Sequence, residues 1–258
     1  MNSGNSYAKK VCVCPNCFPG CEFEEVVRQS IRAGIHRVSL RAVENERNNL
    51  SSWKELLKRS RVEIPMAEVL IGERGSEQTA RRAIDLCVEL NVPLLNIAIA
   101  PPPETEDERR NARSLLRDCA QYADAAGIRL SLETYRGMTH DGAECLRTLD
   151  RVGEANLGIN YDTGNVLRFT ELSGAEMAED LRLLAGYLRA MHLKDYCRKT
   201  SQIVIPGRGE MDLPAILRTL DEMNFSGVFG LDLEPSAAVT VEDHFLALQE
   251  TLRNLKAL

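Results

Sequence analysis

Eight short apolar, β-rich runs alternate along this chain with longer segments of helical periodicity, and that alternation constrains its fold more than any other feature. The runs are KVCVC from Lys10, HRVSL from His36, VEIPMAEVL from Val62, VPLLNIAIA from Val92, RLSLETY from Arg129, LGINYD from Leu157, LRAMHLKD from Leu188 and GVFGLDLEP from Gly227. Between them, segments such as FEEVVRQSIRAG, SEQTARRAIDLCVELN, ERRNARSLLRDCAQYADAAG, PAILRTLDEMN and VEDHFLALQETLRNLKAL repeat apolar residues at three- and four-residue spacing. Gly34, Asn91 and Gly127 stand where a helix C-terminus takes a left-handed residue. Near-continuous apolar strands joined by helices predict a parallel sheet, and eight units closing on themselves leave no exposed edge. The expected fold is a single (β/α)8 barrel, one domain over residues 1–258, since roughly 250 residues is the usual size of such a barrel. A doubly wound open sheet is the runner-up, disfavoured because no Gly-rich dinucleotide turn follows the first run.

Charge narrows the function classes. With 38 acidic against 32 basic residues the net charge is -6, which supplies no basic patch for nucleic acid and favours a small-molecule substrate. MNSGNSYAKK lacks the apolar centre of a secretion signal, and no apolar run reaches membrane-spanning length, so a cytoplasmic protein with its cysteines as thiols is expected.

In a barrel the functional face is the C-terminal end of the strands. Four consecutive runs end there with a metal-competent side chain: Glu133 in LSLETY, Asp162 in INYDTGN, His192 in MHLKD and Glu234 in LDLEP. Neighbouring strands are about 4.8 Å apart, so the four can converge. Three carboxylates and an imidazole suit an oxygen-preferring divalent ion: Mn²⁺ first, then Mg²⁺ or Co²⁺, with Zn²⁺ less natural without thiolates. Taken singly each has a plainer reading: Glu133 pairing with Arg136, Asp162 capping a turn, His192 a core histidine, Glu234 an ion-paired rim residue. Alternation puts Lys194 on the face of His192, either against substrate or in a buried ion pair with a neighbouring carboxylate. The connection YCRKTSQIVIPGRGEMD is far longer than usual and is expected to cover the substrate.

The order of Glu in LETY, Asp in DTGN, His in HLKD and Glu in LEP resembles the xylose-isomerase-like barrel superfamily, which includes ketose 3-epimerases, hydroxypyruvate isomerase, inosose dehydratase and 3-dehydroshikimate dehydratase. The resemblance implies a metal-dependent isomerase or epimerase of a sugar or sugar phosphate. In it Glu133, Asp162, His192 and Glu234 hold the ion, and a proton alpha to a carbonyl is removed through a metal-stabilised cis-enediolate. It also implies that Glu133 and Glu234 exchange the roles of base and acid. Arg198 falls where the epimerases carry a substrate-binding arginine, and Lys194, Asn165 and Arg136 join it as substrate-binding candidates. Asn165 departs from the histidine those enzymes often carry, and an amide cannot transfer a proton; His140 in the loop after Glu133 is a candidate to compensate. Gly207, Arg208 and Gly209 resemble a family turn at which backbone approaches substrate, although an ordinary tight turn explains them as well. The resemblance further implies a homo-oligomer.

Cys12, Cys14, Cys17 and Cys21 are spaced C-x-C-x₂-C-x₃-C, as in some zinc and iron–sulfur sites. Alternation puts Cys12 and Cys14 on one face of the first strand, so at most a partial cluster forms easily, and buried hydrophobes with loop thiols are the plainer expectation. Two rivals to the isomerase remain: a dehydratase of the inosose or 3-dehydroshikimate type, and a non-catalytic sugar-binding barrel. Endonuclease IV-like DNA repair is disfavoured, because His36, His140, His192 and His244 are the only histidines.

Overall fold

The computed structural model describes residues 7–42, 49–72 and 76–258. Every predicted run contributes to one curled sheet: β1 (Val11–Val13), β2 (Leu40–Arg41), β3 (Ala67–Ile71), β4 (Leu94–Ile99), β5 (Arg129–Glu133), β6 (Leu157–Asp162) and β7 (Leu188–Leu193). After a two-stranded antiparallel hairpin, β8 (Asp195–Cys197) with β9 (Gln202–Val204), the eighth barrel strand follows as β10 (Val228–Leu231). All neighbours in the order β1-β10-β7-β6-β5-β4-β3-β2 are parallel, and a parallel bridge between Val13 and Val38 closes the ring. The fold is therefore a (β/α)8 barrel and not an open sheet.

Helices α1 (Phe23–Arg32), α2 (Leu50–Ser60), α3 (Ser76–Leu90), α4 (Glu106–Ala125) and α5 (Gly142–Val152) follow the first five strands in turn. Two short helices, α6 (Thr163–Phe169) and α7 (Gly174–Arg182), follow β6; α8 (Leu213–Glu222) precedes β10 and α9 (Val241–Ala257) follows it. Thr105, Ser173 and Thr240 close capping boxes at the starts of α4, α7 and α9. Gly34, Asn91 and Gly127 are all left-handed at the ends of their helices.

The apolar strand faces pack outward against the helices in one continuous core. Inside the barrel a second, smaller group, Cys12, Met66, Leu94, Ala190 and Val228, plugs the N-terminal half. Above that plug the inward positions turn polar, with Ser39, Asn96, Ser131, Asn160 and His192 all buried. A buried polar layer is costly unless satisfied, so its presence at the C-terminal end marks the functional face.

Two strands are shorter than their runs. Pro65 has no N–H for the ladder, and β3 begins only at Ala67. β10 ends at Leu231; the Asp232 N–H still reaches the Leu193 carbonyl at 3.2 Å, but the chain then leaves the sheet, so Glu234 lies in the following loop and does not close the strand.

Candidate active site

Register brings the acidic strand ends level. Asp162 on β6 sits beside His192 on β7, and His192 beside Gly230 on β10. Glu133, Asp162 and His192 offer ligand atoms that all lie within 4.8 Å of one another. The Nδ1 of His192 is 3.8 Å from Glu133, 3.9 Å from Asp162 and 3.9 Å from Asp232. The inner carboxylate from the eighth unit is thus Asp232, which the sequence reading passed over. Glu234 stands further out, its side chain 37% exposed, and meets the group only through Lys194, whose Nζ is 3.8 Å away.

Each of these side chains is held by a specific neighbour. Asn96 on β4 donates to Glu133 Oε2 at 2.7 Å, and Asn165 in the first turn of α6 donates to Oε1 at 3.2 Å, so both carboxylate oxygens are fixed. Ser131 in turn donates to Asn96 Oδ1. Asp162 does cap a turn: its Oδ1 accepts from the Asn165 N–H at 2.8 Å and starts α6. Asp232 Oδ1 and both ring nitrogens of His192 are buried with no hydrogen bond, while Asp162 Oδ2, also without one, has the Lys194 ammonium 3.2 Å away. Buried polar atoms left without a partner at this depth cost on the order of 1–3 kcal/mol each.

Lys194 forms the buried ion pair of the second reading. Its Nζ lies 2.5 Å from Asp232 and 3.2 Å from Asp162. Burial would lower the lysine's pKa, but Asp162 and Asp232 outweigh it and hold the ammonium charged. One ammonium against Glu133, Asp162 and Asp232 leaves an excess of two negative charges if all three ionise, which a divalent cation would balance. Burial pushes the Glu133 carboxyl up to about 7, and Asp162 and Asp232 add to the rise. His192 is also raised: burial acts to lower it, and the surrounding Glu133, Asp232, Glu68 and Asp162 prevail. Burial would raise Asp232 too, but Lys194 and His192 bring it below its ordinary value.

These shifts fix how the ion-free protein responds to pH. Between about pH 4.5 and 7 folded Glu133 keeps a proton that the unfolded chain has released, so stability falls as pH rises through that window. The raised His192 contributes stability below its unfolded value near 6.5 that is lost as pH rises through its folded value. Both act in one direction, so calorimetry of chelated protein is expected to give a lower Tm at pH 8 than at pH 5.5; a Tm that rises over this interval would show that the site is not the dominant titrating feature.

Above the group a cavity of about 670 Å³ opens, walled by Glu68, Asn96, Glu133, His192, Asp232 and Glu234, with Tyr135, Asn165, Arg41 and Arg168 also lining it. Ile203 of the β8–β9 hairpin also lines it, so the long connection after β7 does form part of the wall. Arg198 does not line it: its guanidinium is spent on Glu210 and on the Leu167, Thr170 and Leu172 carbonyls, where it ties the hairpin to the end of α6. The cavity arginine in this region is Arg168, which sequence spacing did not single out. Arg136 is exposed over the Tyr135 and Phe169 rings, 5.8 and 5.3 Å from their centroids. His140 is occupied by the Gly137 carbonyl and Asp141. Gly207 and Gly209 donate their N–H groups to Asp195, and a side chain at Gly209 would collide with that carboxylate, so this turn is built around Asp195.

The four N-terminal cysteines do not converge. Cys12 belongs to the inner plug, Cys17 donates to the Leu231 carbonyl and Cys21 is partly exposed. All eight cysteines are free thiols.

Fold and site together define a (β/α)8 barrel with a buried carboxylate–imidazole group at its C-terminal mouth. The chain belongs to the xylose isomerase-like TIM barrel family, whose pattern it matches over residues 20–257. A search of curated proteins finds no match. Among solved structures it is similar to the D-allulose 3-epimerase of Methylomonas sp. in complex with D-allulose, at 16% identity over 96% of each chain and a TM-score of 0.77. It is also similar to IolI protein with a bound zinc atom, at 15% identity, 96% of this chain, 98% of that one and a TM-score of 0.80. A third is the 3-keto-D-glucoside 4-epimerase YcjR of E. coli, at 17% identity, 95% of this chain, 99% of that one and a TM-score of 0.76. The fold is thus one that sugar isomerases and epimerases use, and the chain carries a possible metal-binding cluster at its mouth. Among the described residues no helix is long and apolar enough to cross a membrane.

Proposed function

We propose that this protein is a divalent-metal-dependent isomerase or epimerase of a sugar or sugar phosphate that moves a proton alpha to a carbonyl. The observation that carries the reading is the cluster of ligand atoms from Glu133, Asp162 and His192, all within 4.8 Å of one another with the buried His192 Nδ1 unpartnered, beside Asp232 at the floor of a cavity of about 670 Å³. These donors fit an oxygen-preferring ion, Mn²⁺ first and Mg²⁺, Co²⁺ or Zn²⁺ as alternatives. Glu133, Asp162, His192 and Asp232 would hold it. When bound, such an ion supplies Lewis acidity to neighbouring carbonyl and hydroxyl oxygens.

The chain's own groups do the rest. Glu133, oriented by Asn96 and Asn165, takes the proton from the carbon beside the carbonyl. Glu234, on the cavity wall and raised chiefly by burial, is the second carboxylate, returning a proton to the neighbouring position or to the same carbon. Lys194 favours the ionised form of Asp232 and holds the Asp162 and Asp232 carboxylates in place. Arg168 and Arg136 are left to meet substrate hydroxyls or an anionic group, while the Asn165 amide, donating to Glu133 and to the Thr134 carbonyl, positions the base.

The test is to incubate Mn²⁺-loaded protein with a panel of ketoses, ketose phosphates, hydroxypyruvate and inosose in D₂O and follow the products by NMR. An epimer or aldose carrying solvent deuterium is expected. A conjugated enone would replace this reading with a dehydratase, and binding of metal and sugar without exchange would replace it with a binding protein.

A further inference from the structure

The imidazole of His192 separates two clusters of ligand atoms, and only one belongs to the site just described. Its Nδ1 faces Glu133, Asp162 and Asp232. Its Nε2 faces the other way, 3.9 Å from Glu68 Oε1, and Cys14 Sγ, a Glu68 oxygen and a His192 ring nitrogen all lie within 4.8 Å of one another. We propose that Cys14, Glu68 and His192 Nε2 form a second metal site, selective for a thiophilic divalent ion of the zinc or cobalt type.

Three independent observations support it. His192 is 1% exposed and its Nε2 has no hydrogen-bond partner, so a buried donor atom points into the space between Cys14 and Glu68 with nothing to satisfy it. The thiol and the ring can lie this close to the strand because Gly230 has no side chain. Gly230 pairs with His192 on one side and Cys12 on the other, and a Cβ there would come within 2.9 Å of both Cys14 Sγ and the His192 ring. Glu68 is held on the inner face of β3 by the Ser39 hydroxyl and lines the cavity, which gives an ion a route in from the mouth.

The separations are those of a site that closes on its ion. Ligands at the usual Zn–S distance of about 2.3 Å and Zn–N of about 2.0 Å stand roughly 3.5 Å apart in a tetrahedron, so side-chain shifts of about 1 Å complete the coordination. A soft thiolate with one imidazole and one carboxylate prefers zinc-like ions, whereas the first cluster is oxygen-rich. Binding balances by proton release. The Cys14 S–H proton leaves to solvent, and when the first site is also filled the Nε2–H proton leaves too, so that the ring bridges the two ions.

Cobalt reports this site directly, because a thiolate bound to Co²⁺ gives a near-ultraviolet sulfur-to-cobalt charge-transfer band that oxygen and nitrogen ligands do not. Titrating chelated full-length protein with Co²⁺ is expected to produce that band in the wild type and in Cys17→Ser. Cys14→Ser is expected to lose it and to bind one equivalent fewer while keeping the wild-type circular dichroism. Glu68→Gln, which leaves the thiol in place, should raise the Co²⁺ concentration needed for the band by about tenfold or more. A band absent at saturating Co²⁺, or one that survives Cys14→Ser, would overturn the proposal. The readout requires no turnover, so it stands or falls separately from the isomerase reading.

Discussion

Glu133→Gln is expected to lower turnover by about 10²–10⁴-fold, the range that a positioned base supplies, with the fold intact. The side chain keeps its length, so the barrel should not notice the change. One amide end, however, now faces an NH₂ donor, Asn96 or Asn165, with its own NH₂, and the proton acceptor is gone. The pH profile should move with it. In the wild type the base form of Glu133 accumulates as pH rises toward its value of about 7, so the acid limb of kcat/KM has its midpoint at or below 7, lower still with an ion bound. In the variant that limb should vanish from the residual rate. Retention of wild-type turnover would remove Glu133 from the chemistry.

Asp232→Asn is expected to weaken divalent-ion affinity by about 10²-fold or more, and Glu234→Gln by less than about tenfold, when both are compared by isothermal titration. The difference rests on placement. Asp232 is buried, 3.9 Å from His192 Nδ1 and 2.5 Å from Lys194, and Lys194 and His192 favour its charged form. Without it Lys194 keeps Asp162 at 3.2 Å and Glu234 at 3.8 Å, and the less neutralised ammonium repels the incoming ion. Glu234 contributes to the cavity wall, so its replacement should appear in turnover and scarcely in ion binding. The reverse ranking would make Glu234 the ligand and Asp232 a structural partner of Lys194.

The barrel was legible because its strands are short, largely apolar runs separated by helical periodicity, with polar residues at inward positions near their ends. Glu133 and Asp162 close β5 and β6, and His192 lies one residue before the end of β7, so alternation alone aimed all three at the mouth. Alternation could not separate Asp232 from Glu234, which share a parity in LDLEP. What separates them is where the ladder stops, and that depends on the Leu193 carbonyl of another strand. Glu68 was invisible for a related reason. A polar residue within AEVLI reads as the solvent face of a strand until closure of the ring shows that face to be the inside. Arg198 fits a family spacing, yet its fork is used up by carbonyls at the end of α6 and beyond, contacts that no local pattern encodes. For the cysteines, alternation correctly paired the faces of Cys12 and Cys14, but the partners of Cys14 come from β3 and β7.

The central claim is that proton transfer in this cavity depends on an ion held by Glu133, Asp162, His192 and Asp232. Its most direct test is the rate of solvent deuterium entry into a turned-over ketose, measured by NMR on metal-loaded, chelated and reloaded protein. Exchange that disappears on chelation, returns with Mn²⁺ and is absent in His192→Ala is the predicted result. Exchange that continues at the same rate in chelated protein, or in His192→Ala, would contradict the account.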